Sequence, residues 1–461
     1  MEYIKSQKNK NLLKFNSYLY RFDKKYKNTM YWRCTEELCK SRLNLKNDEI
    51  VKGPSEHNHT ISNLEIERRV CIDKMKIRAL SSQVNPHQIV SEASTLCSQA
   101  VHGALPPVSH IKRTLCRIRQ INSSAPSNPF TITDITIPDK YSHTIDGRTF
   151  LINDIEPVES RILVFATKKN LDLLSKSDHW FADGTFKSCP PLFTQVYTIH
   201  VIKHNLVIPV VFALMPDKTQ SSYERLFSAI KTHNINLNPK TIMTDFERSS
   251  LNAFKILFPN TEQNGCFFHQ TQCVWRKIQT ISGMVEKYKT DSEFSLQVRY
   301  LSALAFVPEN DVIDAFETLC ESTYYTNNED VLEPLISYFE DTWIGRPNRR
   351  RRRNPRFPIS LWNCFRSTIS GLPRTNNYVE GWHRGFNNLL SSCHPTIWKF
   401  IEGIQKEQSL NEMKINQYIA GTVEPSKKRK RDTLKDLVND YENRDRLEYL
   451  RGVAYNLKYQ I

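Results

Sequence analysis

Three acidic residues sit in three distinct contexts: Asp183 in HWFADGTFKSCP, Asp245 in TIMTDFERSS and Glu380 in TNNYVEGWHRGF. Each follows an apolar strand-like run or opens a helix-like one. Carboxylates drawn from distant parts of a chain suit a nuclease that holds two divalent metals. Two ions about 3.5–4 Å apart activate the attacking oxygen at a phosphodiester and stabilise the leaving one. Mg2+ or Mn2+ would serve, because hard cations prefer oxygen ligands and keep several waters, so three carboxylates suffice. A lone acid usually means only a solvated surface charge; here the contexts argue for more.

A second constellation lies near the N-terminus. Cys34, Cys39, His57 and His59 form the pattern C-x4-C-x17-H-x-H. Two thiolates and two imidazoles complete the tetrahedral shell that structural Zn2+ prefers. So short a segment buries little apolar surface, and a bound metal would supply its folding energy. Tyr18, Tyr20, Phe22, Tyr26, Tyr31 and Trp32 precede or join the ligands in runs that read as short strands.

The elements that must position the acids follow from hydrophobic period. Asp183 lies on the first of three strands, followed by FTQVYTIHVI and LVIPVVFAL with Lys203-His204-Asn205 as the turn between them. Tyr223–Thr232 has helical spacing, Thr241–Thr244 is a short buried strand ending at Asp245, and Ser250–Phe258 is a helix stopped by Pro259. Gly265-Cys266-Phe267-Phe268 reads as a further strand and Gln270–Ile281 as a helix. That order of elements is the order of an α/β, RNase H-like fold, in which the first and fourth strands are neighbours. Parallel neighbours joined through a helix are the usual product of such a crossover. Between Asp245 and Glu380, the stretches Phe294–Phe306, Val312–Cys320 and Val331–Trp343 are helical, punctuated by Pro308 and Pro334, and predict an insertion at about 285–345. Asn376-Asn377 would cap the helix that carries Glu380.

DGTF, TDFE, the Gly-Cys-Phe-Phe-His run and NNYVEGWH together resemble the catalytic blocks of Mutator-like element (MULE) transposases, over about Leu171–Ile404. The resemblance implies that Asp183, Asp245 and Glu380 are a DDE triad. It also implies that Cys266 and His269 are the C-x-x-H pair that follows the second Asp. Cys266 reads equally well as a buried core thiol. A zinc site at this pair would need four ligands, and Cys273 is the only other candidate nearby. YLYRFDKKYKNTMYWRCTEELC with HNHT resembles the FLYWCH-type zinc finger over about Phe15–Thr60, with Trp32-Arg33-Cys34 in place of a Trp-Cys pair. No cysteine follows Cys393, so the C-terminal SWIM motif of some relatives is absent.

Composition agrees. The chain has 461 residues, with 64 Lys and Arg against 49 Asp and Glu, a net charge of +15 and a pI near 9.2. Such a balance favours a polyanion, most commonly nucleic acid. Arg349, Arg350, Arg351, Arg352 and Arg353 lie in a Pro-flanked stretch, RPNRRRRRNPRFP, and read as a loop contacting DNA phosphates. Lys427, Lys428, Arg429, Lys430 and Arg431 read as a nuclear localisation patch, with a nonspecific DNA tail as a compatible role. No apolar stretch reaches transmembrane length, MEYIKSQKNKNLLKF has no signal-peptide core, and no Walker or dinucleotide glycine motif is present. Eleven cysteines in a nuclear-type chain point to zinc ligation or burial, not disulfides.

The expected organisation is a small β-rich zinc finger at 1–60 and a helical, linker-containing region at 61–145 that is a candidate for DNA contact. An RNase H-like catalytic core with a helical insertion follows at 146–405, then a basic, helical tail at 406–461, whose charged stretch Asp432–Tyr459 would suit association. Helical patterns cover Glu65–Leu80 and Val108–Ile121, SSAPSNP is a linker, and Thr149–Thr167 holds β-rich runs that would abut the catalytic sheet. The expected function is a nuclear DDE transposase, a homo-oligomer acting on transposon ends and target DNA. The alternative is a domesticated transposase that keeps finger and fold but regulates transcription without catalysis. A general nuclease of the same fold class would leave the finger without a purpose.

Overall fold

The computed structural model describes residues 2–5, 11–61, 63–82, 84–122, 125–155, 158–203, 206–349, 351–421 and 432–457. It forms two compact units, Met1–Ser127 and Asn128–Ile461, and the boundary falls inside the SSAPSNP linker.

In the first unit, β1 (Glu2–Lys5), β2 (Asn11–Phe15), β3 (Tyr18–Tyr26), β4 (Thr29–Cys34), β5 (Arg42–Lys46) and β6 (Glu49–Lys52) make one antiparallel sheet in sequence order. Asn16-Ser17 and Asn47-Asp48 take the positive φ that two-residue hairpin loops require. Leu13, Tyr20, Trp32, Leu43 and Leu45 form the buried core of the sheet. The helices α1 (Asn63–Ser81), α2 (Pro86–Ser94), α3 (Gln99–Ala104) and α4 (Val108–Ile121) follow. They enclose their own core of Cys71, Met75, Ala79, Ile89, Val90, Val101, Ile111 and Leu115. Ile66 of α1 also packs with Ile4, Leu12 and Leu19, so the helices belong with the sheet.

The second unit opens with α5 (Asp139–Ser142), β7 (Leu151–Ile155), β8 (Ile162–Phe165) and α6 (Lys168–Ser175). Next come β9 (His179–Thr185), β10 (Gln195–Lys203), β11 (Leu206–Met215), α7 (Gln220–His233), β12 (Thr241–Thr244), α8 (Arg248–Leu257), β13 (Glu262–Gly265) and α9 (Phe267–Thr280). The sheet order is β13-β12-β9-β10-β11-β8-β7. β12 runs parallel to β9 and β13, and the other pairs are antiparallel. The β-rich runs of Thr149–Thr167 thus extend the sheet as its far edge.

Side chains alternate along a strand, and β9 shows why this matters. Trp180 and Ala182 join the core that α7 and α8 cover, with Phe227, Phe254 and Phe258. Phe181 turns to the other face, where Met243, Cys266 and Val379 surround it. Asp183 has the parity of Phe181 and so faces the same side.

The strand expected at Gly265–Phe268 is a correction: the strand is Glu262–Gly265, and Cys266 is the N-cap of α9. Two aromatic residues after Cys266 suggested β structure, but they start an amphipathic helix whose apolar face is buried.

The insertion comprises α10 (Met284–Thr290), α11 (Ser292–Ala303), α12 (Val312–Cys320), α13 (Thr323–Asn327) and α14 (Glu329–Phe339), then the hairpin β14 (Pro347–Asn348) and β15 (Arg351–Arg352). Pro334 lies within α14 and does not end it. After α15 (Ile359–Trp362) and α16 (Phe365–Ile369) come α17 (Asn377–Leu390), α18 (Ile397–Ile419), α19 (Thr433–Asn439) and α20 (Arg446–Asn456). The described part of the tail packs into this body. Val438, Tyr441, Tyr449, Leu450, Val453, Ala454 and Leu457 are buried with α11 and α12 in one core, and the Arg299 guanidinium donates to the Leu457 carbonyl at 3.0 Å. Its charged residues mark only the outer faces of helices whose inner faces are apolar. Among the described residues, no helix is long and apolar enough to cross a membrane.

Candidate functional site

The finger ligands come together as four donors. Cys34 ends β4, Cys39 lies in the loop before β5, and His57 and His59 follow β6. Their ligand atoms all lie within 4.8 Å of one another. Cys34 Sγ is 3.2 Å from His59 Nε2, and Cys39 Sγ is 3.3 Å from His57 Nδ1. The outer nitrogens are engaged elsewhere: His57 Nε2 lies 2.8 Å from the Tyr20 hydroxyl, and His59 Nδ1 lies 3.1 Å from the Thr60 carbonyl. That carbonyl can only accept, so His59 carries its proton on Nδ1 and presents a bare Nε2. His57 turns Nδ1 toward Cys39 Sγ, while the Tyr20 hydroxyl, able to donate or accept, holds its other nitrogen. Tyr18 stacks on the His57 ring with centroids 3.6 Å apart and planes 4° from parallel. Burial pushes the Cys34 thiol up to about 11, so a cation is needed to hold it as thiolate at neutral pH. Two soft sulfurs and two correctly aimed imidazole nitrogens fit Zn2+.

The acidic residues converge in the second unit. The pairs Thr241↔His179, Ile242↔Trp180 and Met243↔Phe181 keep a constant offset, and the same offset sets Asp245 beside Asp183. Phe246 then packs over Gly265, where an added Cβ would meet its ring at 2.3 Å, and against Trp343 and Phe357. The end of β12 is thereby pinned to the insertion. Glu380 lies in the first turn of α17. Val379 beside it is buried with Phe181 and Met243, which brings this helix start onto the face of the acids.

One imidazole spans the gap between two of the acids: His269 Nδ1 is 2.7 Å from Asp245 Oδ1, and His269 Nε2 is 3.8 Å from Glu380 Oε1. Neither His269 Nδ1 nor Asp245 Oδ1 has a hydrogen bond with good alignment, so the close contact is an ion pair out of line with the N–H. Burial raises the Asp245 pKa; His269 opposes this and the Asp183 carboxylate adds to it. Glu380 is also raised, by burial and then, against the opposing pull of His269, by Asp183 and Asp245. Burial disfavours a His269 cation, but Asp245 and then Cys266 outweigh it and lift the ring to about 11. Three neighbouring carboxylates, with Asp245 and Glu380 raised and a buried Asp245 oxygen lacking a hydrogen bond, are a donor set fit for a hard divalent cation. Among the described residues only the finger quartet brings three or more donors within 4.8 Å. The acidic site is more open, as suits ions that keep several waters.

Cys266 is fully buried, and its sulfur accepts the Asn376 N–H at 3.2 Å. It packs and joins elements, and Cys273 packs against the helical core. Asn376 is the N-cap of α17 by position, but its side chain makes no capping bond. Its amide donates instead to the Ala182 carbonyl at 3.3 Å. One buried residue thus joins the strand of Asp183, the start of the His269 helix and the start of the Glu380 helix.

Residues 179–272 match the MULE transposase domain, and residues 3–59 match the FLYWCH zinc finger domain. The chain carries both. No curated protein matches closely enough to count as a relative. The MULE match includes Asp183, Asp245, Cys266 and His269 and ends before Glu380, which only the fold brings to them.

The arginine run divides. Arg352 is mostly buried and bonded to Glu317 at 2.6 Å, Glu340 at 2.8 Å and the Gly345 carbonyl at 2.6 Å, so its charge is spent inside the hairpin. Its expected phosphate contact is a correction: two acids of the insertion neutralise it. Arg349, at the turn with φ 56°, Arg351 and Arg353 are exposed. Arg350 and Lys427, Lys428, Arg429, Lys430 and Arg431 lie outside the described residues. Sequence reasoning missed His383, one turn beyond Glu380, whose Nδ1 is 3.4 Å from Asp183 Oδ2. The i, i+3 spacing E-x-x-H in VEGWH was the available signal.

Proposed function

We propose that this protein is a DDE-type DNA transposase. The observation that carries the reading is the meeting of Asp183, Asp245 and Glu380, from β9, the end of β12 and α17, with His269 between Asp245 and Glu380 and His383 against Asp183. The five-strand order β13-β12-β9-β10-β11, with the first strand central and its fourth-strand neighbour parallel, supports an RNase H-like core. Bound between the carboxylates, two Mg2+ or Mn2+ ions would activate the attacking oxygen and stabilise the leaving one. Asp183 and Asp245 would hold both ions, and Glu380 would complete one shell. A water oxygen would bond to phosphorus as the P–O3′ bond breaks, freeing a 3′-hydroxyl at the transposon end. That hydroxyl would then attack a target phosphodiester, forming one P–O bond and releasing another. The zinc finger, with Arg349, Arg351 and Arg353, would position DNA through its phosphates. The Lys427–Arg431 run would direct the chain to the nucleus, and pairing of transposon ends would call for a homo-oligomer.

The test is a Mg2+- or Mn2+-dependent cleavage and strand-transfer assay on DNA flanking the coding region, with Asp245→Asn as control. Activity lost in the variant is the expected result. Specific binding without cleavage under either metal would refute catalysis and assign the domesticated regulator.

A further inference from the structure

His383 is buried on α17, and its two ring nitrogens face different partners. Nδ1 points to Asp183 Oδ2 at 3.4 Å, and Nε2 lies 3.2 Å from Thr198 Oγ1. Thr198 is paired directly with Asp183 across β10 and β9, and its hydroxyl lies 3.3 Å from the Asp183 carbonyl. Behind it, the fully buried His200 places Nε2 at 2.9 Å from the same hydroxyl. His200 Nδ1 has no hydrogen-bond partner among the described residues.

The direction of this chain follows from which atoms can be left without a partner. Burial holds His200 neutral, with a single N–H. A buried orphan donor is rarer than a buried orphan acceptor, so the proton belongs on Nε2 and is donated to Thr198. Thr198 has one hydrogen for two acceptors in reach, the Asp183 carbonyl at 3.3 Å and His383 Nε2 at 3.2 Å; given to His383, it leaves the ring proton on Nδ1, facing the carboxylate. The opposite tautomer would set a nitrogen lone pair against the Asp183 oxygen. At 3.4 Å the contact with Asp183 is at ion-pair distance and not yet a formed hydrogen bond; active-site contacts of this kind often tighten only on loading.

We infer that His383, oriented by Thr198 and His200, is a positioning residue that holds one oxygen of Asp183 and leaves the other for a divalent cation. Asp183 and Asp245 repel each other when both are ionised, and Asp183 needs a fixed donor to keep its place before a cation arrives. A ligand carboxylate held by its own hydrogen-bond partner is a common way to set both geometry and affinity. The inference rests on the two-metal reading of the acidic site.

The test uses the full chain with zinc in the finger and four variants: His383→Ala, His383→Asn, Thr198→Val and Asp183→Asn. His383→Asn keeps a donor at the δ position. Mn2+ binding is followed by electron paramagnetic resonance, the His383 tautomer by 15N resonances in metal-free protein, and folding by the melting temperature. Mn2+ affinity should fall about tenfold in His383→Ala, the lower end for lost ligand-orienting contacts. It should recover largely in His383→Asn. Thr198→Val should shift the His383 15N pair from the Nδ1–H pattern toward a mixture. Mn2+ affinity within twofold of wild type in His383→Ala, with Asp183→Asn abolishing binding, would overturn the relay and leave the metal site standing. Wild-type protein whose Mn2+ binding is unchanged by Asp183→Asn would overturn the metal site and the relay together.

Discussion

Replacing Tyr20 by Phe removes one oxygen from the finger, which contacts His57 and Ser41. Tyr20 is fully buried among Leu13, Trp32, Leu43 and Leu45, and Phe keeps that packing. What goes is the 2.8 Å contact that occupies His57 Nε2. A hydrogen bond of this kind contributes about 1 kcal/mol net, and losing an outer partner of a metal-bound histidine costs about 10–100-fold in affinity. The lower end applies here, because stacking by Tyr18 still holds the ring. The expected loss is therefore about tenfold in zinc affinity, or about 1.4 kcal/mol. Metal binding and folding are coupled in so small a module, so the zinc-dependent melting transition should fall by the same free energy. Competition with a chromophoric chelator on the full chain measures the affinity, with Cys34→Ser as the variant that loses a ligand outright. A Tyr20→Phe affinity within twofold of wild type would refute the claim that this hydroxyl orients His57 for the metal.

Glu380→Gln should stabilise the metal-free chain, by on the order of 0.5–2 kcal/mol, the usual size of a gain at a strained functional site. Burial, then Asp183 and Asp245, raise the Glu380 pKa against the opposing His269, so wild type carries a penalty that builds as pH rises above the ordinary value and is complete once Glu380 ionises in the fold. The advantage of Gln should be absent below the ordinary value of 4.5, grow as pH rises from there to the raised pKa, level off above it, and shrink when Mg2+ saturates wild type; melting curves across pH read this directly. Arg352→Ala should cost about 2 kcal/mol by leaving Glu340 and Glu317 unpaired, a partly exposed version of breaking a buried pair, while DNA affinity holds. Arg349→Ala and Arg351→Ala should do the reverse, each lowering the salt-dependence slope of DNA binding by about 1 with little change in melting temperature.

Much of the site was legible because it lies in short local blocks. The C-x4-C-x17-H-x-H spacing is itself the zinc donor set, and strand alternation around Asp183 and the four-residue run before Asp245 showed which elements deliver them. The helical spacing of Phe294–Phe306 and Val312–Cys320 likewise marked the insertion. Misreadings arose where local signal and tertiary packing diverge. Two phenylalanines after Cys266 looked like strand because β propensity is a statement about half-buried surfaces, yet here they start a helix. The tail looked like a charged extension, yet a few buried side chains pack it into the helical core.

The sequence by itself determined the chemical inventory: four zinc donors, three separated carboxylates, a basic balance, and the order of strands and helices. Hydrophobic period and ligand spacing are local properties, and a chain carries them wherever it goes. Only the tertiary structure decided which residues meet. It set Asp245 beside Asp183 through parallel register, laid α17 across that face so that His269 and His383 touch the acids, and made Asn376 the joint of three elements. It also took Arg352 out of the basic run, because two glutamates distant in sequence converge on it. Such contacts depend on how separate segments pack, and no local pattern encodes that.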